Sequence, residues 1–365
     1  MKIINKILLL AALACADGAY AQTKQSYTPA TQLTMVGKVY ATKSPFHRVD
    51  TATYPDLPPV VKRLLTNSAG EAISFRTNSS TISAKWCVTA LKQLSNMTPI
   101  ANKGLDLYIK KDGKWVFAGV GRPGDECNTG TLVSNMDNSE KECLLYLPLY
   151  DETKKLEIGV DEKSWIKPAA DPFRKRILIY GSSILQGASA SRPGMAYPAR
   201  LSRETGLNFL NLGISGNAKM EKAAADMVAS INADAYILDC VPNPSPEQIT
   251  ERTAYLISAI RKNHPSAPII MIQSIVRETG NFDPKVAKTV HQQNENFRQE
   301  YLAAVRRGTN DLYFIPAANL LGNDHEATVD GTHPNDIGFD RMLNVLKPQI
   351  LSILKEYGID APVNY

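Results

Sequence analysis

The sequence predicts an α/β protein in two parts, an antiparallel jelly-roll-like β-sandwich followed by a three-layer α/β/α domain. Three observations carry this. From Tyr27 to about Ile166, apolar and polar residues alternate in short runs, the pattern of half-buried antiparallel strands. Pro168 and Pro172 then interrupt the chain in "WIKPAADPFRK". Beyond it, short continuous apolar runs alternate with amphipathic stretches, as in a parallel sheet covered by helices on both faces. A length of 365 residues suits two such domains.

The elements follow in chain order. Lys2 and Lys6 form a positive start, Ile7 to Ala14 an apolar run, and Ala19-Tyr20-Ala21 a cleavage site before Gln22. Residues 1–21 therefore read as a secretory signal peptide, too short in its apolar part to span a bilayer. Cys15 offers a lipoprotein anchor as the alternative, although Ala12-Leu13-Ala14 matches a lipobox poorly. The expected location is periplasmic or extracellular. No later segment is long and apolar enough for a transmembrane span in the mature chain.

Residues 22–166 form the β-sandwich domain, with strands in "TMVGKVYAT", "AISFRTNSSTISAKWCVT", "LDLYIKKDGKWVFAGV" and "ECLLYLPLY". Turn signals such as Lys111-Asp112-Gly113 separate them, and only Val60 to Leu65 suggests a helical turn. Residues 167–175 read as the linker, and residues 176–365 as the α/β domain. Its strands are "RILIYG", "NFLNLGI", "AYILDCV", "PIIMIQSI" and "DLYFIPA", and its clearest helices are Ser245 to Lys262 and Pro284 to Arg306.

Composition excludes several classes of function. Hydrophobic residues at 44% and charged residues at 21% are ordinary globular values. The net charge of +5 is scattered, so no nucleic-acid partner is expected. Cys87, Cys127, Cys143 and Cys240 survive cleavage, with no CxxC and no Cys/His cluster at metal spacing. Export permits a disulfide. Cys127 and Cys143 flank one loop-rich segment and are the expected pair, with free buried cysteines the alternative. Oligomeric state has no signature in the sequence.

Ligands of open parallel sheets bind at the carboxyl ends of the strands. There the sequence places Gly181-Ser182-Ser183, then Asn211 to Gly216, then Asp239 to Asn243. Either serine of the first end could be a nucleophile. Of the five histidines, His47 lies in the β half, His264 on the opposite rim and His291 within a helix. His325 and His333 follow the last strand, and only His333 has an acid three residues before it, Asp330. An Asp-x-x-His turn can bring the carboxylate to the imidazole Nδ1–H. Asp239 reads as a satisfied buried polar residue.

These pieces resemble the SGNH (GDSL) hydrolase superfamily. "GSSILQG" matches its first block, with Ser183 at the nucleophile and Gly187 four residues on. "NLGISGN" matches the second with Gly213, Asn243 ends the third, and Asp330-Gly-Thr-His333 is the last. The family usually reads Gly-Asp-Ser in block one, and here Ser182 replaces that Asp. "GLDLYIKKDGKWVFAG" resembles the Gly-x-Asp-Leu-Tyr segment that precedes such domains in secreted bacterial members.

The resemblance implies a flavodoxin-like SGNH fold and a serine esterase. Ser183 would be the nucleophile, His333 the base and Asp330 its partner, with Ser183, Gly213 and Asn243 forming the oxyanion hole. It implies short-chain, acetyl-type esters on small molecules or polysaccharides, and needs no metal or organic cofactor. A thioesterase, a lysophospholipase, an acyltransferase and a non-catalytic glycan-binding protein are the alternatives.

Overall fold

The computed structural model describes residues 24–362. The expected signal peptide and Cys15 lie outside the described residues.

The first half contains β1 (Gln25–Pro29), β2 (Thr34–Val36), β3 (Ala72–Thr77), β4 (Ile82–Cys87), β5 (Leu105–Lys111), β6 (Lys114–Gly121), β7 (Cys127–Val133), β8 (Lys141–Tyr146), β9 (Lys155–Asp161) and β10 (Ile166–Pro168). They form two antiparallel sheets, of order β1-β9-β4-β7 and β10-β3-β8-β5-β6, with β2 paired to β3. Inward residues of both sheets, among them Phe75, Ile82, Trp86, Leu107, Leu145 and Ile158, share one apolar cluster. The second sheet is also covered on its outer face, where Ala72, Tyr108, Leu144 and Tyr146 pack with Phe173 and Ala199. This explains why β8 is buried almost throughout and does not alternate cleanly.

Two helices interrupt the strands, α1 (Pro59–Leu65) and α2 (Pro99–Lys103). Both have proline at the first helical position, where a missing N–H costs nothing. The long segment between β2 and β3 gives Phe46 to the sandwich core and turns other apolar residues to the second half. Its Val39, Val49, Leu57, Val61, Leu64 and Leu65 pack against Tyr180, Leu210 and Leu212 of the second half. Within it Arg48 is fully buried. Its guanidinium donates to the carbonyls of Leu64 and Asn67 on one side and of Asn211 and Gly213 on the other. Burial pulls its pKa down to about 10, so it stays charged at neutral pH.

The second half runs β11 (Arg174–Gly181), α3 (Ser183–Gln186), α4 (Tyr197–Thr205), β12 (Leu207–Gly213), α5 (Lys222–Ser230), β13 (Ala235–Asp239), α6 (Pro246–Asn263), β14 (Ile269–Ile272), α7 (Pro284–Arg306), β15 (Leu312–Ile315) and α8 (Asp336–Lys355). The five strands pair in parallel in the order β12-β11-β13-β14-β15. Side chains of α5, α6 and α7 bury one face of the sheet, and those of α4 and α8 the other. The strand order reverses between β11 and β13, and the carboxyl ends at such a reversal are where sheets of this kind bind ligands.

Two expectations need correction. β10 takes in Lys167 and Pro168, and β11 takes in Arg174 and Lys175, so the connection is shorter than the expected 167–175. Cys127 pairs with Cys87, not with Cys143. Cys87 and Cys127 are register partners on neighbouring strands β4 and β7, while Cys143 sits in β8 of the other sheet and is free and buried, as is Cys240. Nearness in sequence failed here because consecutive strands β7 and β8 cross between sheets.

Candidate active site

The site grows from the end of β11. A Cβ on Gly181 would meet the Asp239 carbonyl oxygen at 2.4 Å, so glycine lets β11 and β13 approach closely. Ser182, fully buried, caps the short helix α3, its Oγ accepting from Ile184 N–H at 3.2 Å. Aspartate and serine are both good N-cap residues, so Ser182 can serve at the position where the resembled family usually carries Asp. Ser183 is the first residue of α3, and the helix stops at Gly187, which has φ +106°.

Ser183 Oγ lies 2.8 Å from His333 Nε2, and His333 Nδ1 lies 2.8 Å from Asp330 Oδ2. With Nδ1–H donating to the carboxylate, Nε2 is left to accept from the serine hydroxyl. The Asp330 Oδ1 also accepts from the backbone N–H groups of Thr332 and His333, at 3.0 and 2.8 Å. This closes the turn, and Gly331 supplies its positive φ of +79°. Burial pushes the Asp330 carboxyl upward, but the hydrogen bonds and charge of His333 and the Asn96 amide outweigh it, holding the pKa at about 2.

The remaining histidines have other partners. His47 meets Glu152, His264 meets the Ala229 carbonyl and His325 meets Glu278, while His291 is exposed on α7. Asp239 is buried and accepts from Tyr197 OH at 2.7 Å, and burial pushes its pKa up to about 7.

The oxyanion-hole residues divide. Ser183 N–H opens α3 and has no carbonyl behind it within the helix. Asn243 Oδ1 accepts from Ala218 N–H at 3.1 Å, which leaves its Nδ2 without a partner among the described residues. Gly213 does not fit its expected role. Its N–H already donates to Asn211 Oδ1 at 2.9 Å, and a Cβ there would strike Gln186 N at 2.3 Å, so this glycine packs β12 against α3. Three residues on, Gly216 has a positive φ of +68° and open space around its Cα. Its N–H has no partner among the described residues, while its neighbours Ser215, Asn217 and Ala218 donate to Gln186 Oε1, the Ile214 carbonyl and Asn243 Oδ1.

Sequence reasoning missed the contributions of the first half. Asp106, from the Gly-x-Asp-Leu-Tyr segment, is fully buried, receives Arg192 Nη1 on both oxygens at 2.9 and 2.8 Å, and accepts from Gly194 N–H at 2.8 Å. Tyr108 OH meets the same Arg192 nitrogen. The motif is therefore a latch between the halves, a part that its resemblance to the Gly-x-Asp-Leu-Tyr segment did not assign to any residue. Asn96 had no signal at all, yet its Nδ2 reaches Asp330 Oδ2 at 3.0 Å. Among the described residues no group of three or more His, Cys, Asp or Glu is arranged to hold a metal ion.

A five-stranded parallel sheet with a serine, a histidine and an aspartate linked at its carboxyl rim defines an SGNH-type hydrolase fold. Residues 174–351 match the GDSL-like lipase/acylhydrolase family, and residues 25–166 match the N-terminus (GxDLY) of esterases of the SGNH-hydrolase type. A protein from Bacteroides ovatus ATCC 8483, described as a GDSL-like lipase, is 58% identical over 91% of this chain and 98% of its own, with a TM-score of 0.90. The chain belongs to the GDSL-like lipase/acylhydrolase family. Two more distant structures share the fold. A salicylyl-acyltransferase from a tetracycline biosynthetic pathway is 17% identical over 90% of this chain and 97% of its own, with a TM-score of 0.71. An acetyl xylan esterase from the rumen bacterium Butyrivibrio proteoclasticus is 12% identical over 92% of this chain and 100% of its own, with a TM-score of 0.55. No curated protein matches the chain.

Proposed function

We propose that this protein is a serine esterase that removes short acyl groups, acetyl foremost, from carbohydrate esters. The observation that carries the reading is the hydrogen-bond chain from Ser183 through His333 to Asp330. In this mechanism Ser183 Oγ attacks the ester carbonyl while His333 Nε2 takes its proton. Asp330 stabilises the imidazolium that forms. The oxyanion is received by the N–H groups of Ser183 and Gly216 and by Asn243 Nδ2. His333 then returns the proton to the leaving alcohol, and a water deprotonated by the same histidine releases the acid from Ser183. Ester hydrolysis is supported by the esterase family, and the carbohydrate alcohol by the acetyl xylan esterase among the proteins that share the fold.

Export is part of the same proposal. The Cys87–Cys127 disulfide favours an oxidising compartment, in line with the signal-like residues 1–21.

The test is a substrate panel of acetylated xylan, acetylated monosaccharides, p-nitrophenyl acetate, acyl-CoA and lysophospholipid. Acetylated carbohydrates are expected to turn over fastest, and preference for acyl-CoA or lysophospholipid would overturn the substrate class. Ser183→Ala is expected to abolish p-nitrophenol release with the thermal midpoint unchanged. Residual activity above about a hundredth of wild type would remove Ser183 as nucleophile.

A further inference from the structure

Asn96 lies on the loop between β4 and α2, far in sequence from the residues it meets. Its Nδ2 donates to Asp330 Oδ2 at 3.0 Å and lies 3.3 Å from His333 Nδ1. The same Asp330 oxygen takes the His333 Nδ1–H, and the other oxygen takes two backbone N–H groups. With Asn96 in place both carboxylate oxygens have two donors. Rotation of the carboxylate would then break contacts on both sides at once.

The loop around Asn96 is itself held against the α/β half. Ser189 Oγ donates to the Asn96 carbonyl at 2.9 Å. Met97 is buried in the cluster that contains Ile184, Leu185 and Phe339. Thr98 Oγ1 donates to the Ser191 carbonyl at 2.6 Å and also caps α2. Ser191 is tied in turn, through N–H and Oγ, to Asp336 at the start of α8, three residues beyond His333. The loop is thus joined to both segments that carry the reacting side chains.

We propose that Asn96 is a positioning residue, supplied by the β-sandwich half, that fixes the Asp330 carboxylate and through it the His333 ring. The inference rests on the serine-esterase reading above. A ring held by a fully engaged carboxylate keeps Nε2 on the serine hydroxyl, and small misplacements there are costly in rate. The β half then has a defined part in the reaction besides its packing.

The experiment is steady-state kinetics of the full chain on p-nitrophenyl acetate, for wild type, Asn96→Ala, Asn96→Asp and Ser183→Ala, with thermal midpoints. Asn96→Ala is expected to lower kcat about tenfold to a hundredfold with KM within about twofold. Asn96→Asp has the same shape but no donor and an added charge, and is expected to lower kcat at least as far. If Ser183→Ala stays active, the reading of Ser183 as the nucleophile of a Ser183–His333–Asp330 chain falls, and the positioning role with it. If Ser183→Ala is dead but Asn96→Ala keeps kcat within about twofold, or loses only KM, the positioning role alone falls. Should Asn96→Ala fail to fold, Asn96→Asp decides by the same kcat criterion.

Discussion

At Ser182 the departure from the usual Gly-Asp-Ser has a local explanation. Its Oγ caps α3 through Ile184 N–H, next to Ser183. Ser182→Ala is expected to lower the free energy of urea unfolding by about 1 kcal/mol and to reduce kcat, because the cap sets the direction of Ser183 N–H. Asp330 behaves differently. Its pKa is depressed to about 2, so the stability it contributes is present above the ordinary carboxylate value and is lost as pH falls through about 2. It therefore stays ionised throughout the neutral range. Asp330→Asn is expected to lower kcat by about a hundredfold or more at every pH from about 5 to 9. A loss confined to acid pH would contradict its role.

At the scale of elements, strand β5 joins the two halves. Asp106 and Tyr108 point from it to Arg192, in the loop between α3 and α4. Arg192 also stacks on Phe117 of β6 at 4.2 Å, and Arg203 of α4 lies 3.9 Å over the Tyr108 ring. Breaking a buried ion pair by removing one member leaves the other charge unmatched. Asp106→Ala is expected to cost about 3–5 kcal/mol in denaturant unfolding, more than an equivalent change at the exposed Lys222–Asp226 pair. Equal effects at the two sites would show that the latch is not under strain of desolvation.

For the whole molecule, the disulfide and the interface between halves act on the same structure. The bridge closes a loop with a sequence separation of 40, and β4 leads directly from Cys87 into the loop that carries Asn96. Replacing Cys87 and Cys127 together by serine is expected to lower stability by about 4 kcal/mol from loop closure alone. Cys143 and Cys240 are buried and should stay unreactive to a thiol reagent until the chain unfolds. Rapid labelling of the native protein would contradict this packing. The second sheet of the sandwich is covered on both faces, so the halves share a core and are expected to melt in one transition.

The strands and helices of the α/β half were legible in the sequence because each is specified locally. β11 to β15 are continuous apolar runs since helices bury both faces, and α7 occupies the predicted Pro284 to Arg306. Asp330 and His333 could be named for the same reason, since an Asp-x-x-His turn is a short-range pattern, whereas the strand end left two serines open and the choice of Ser183 came from the resemblance to the SGNH family. Packing decided the rest. Whether Gly213 or Gly216 keeps a free N–H depends on Asn211 taking one of them, and the Cys87–Cys127 pairing depends on which strands are neighbours. Asn96 meets Asp330 across 234 residues, and Arg48 meets Gly213 across 165. Local pattern sets backbone conformation and burial, but a side chain's partner at such separations exists only once the two halves have closed on each other.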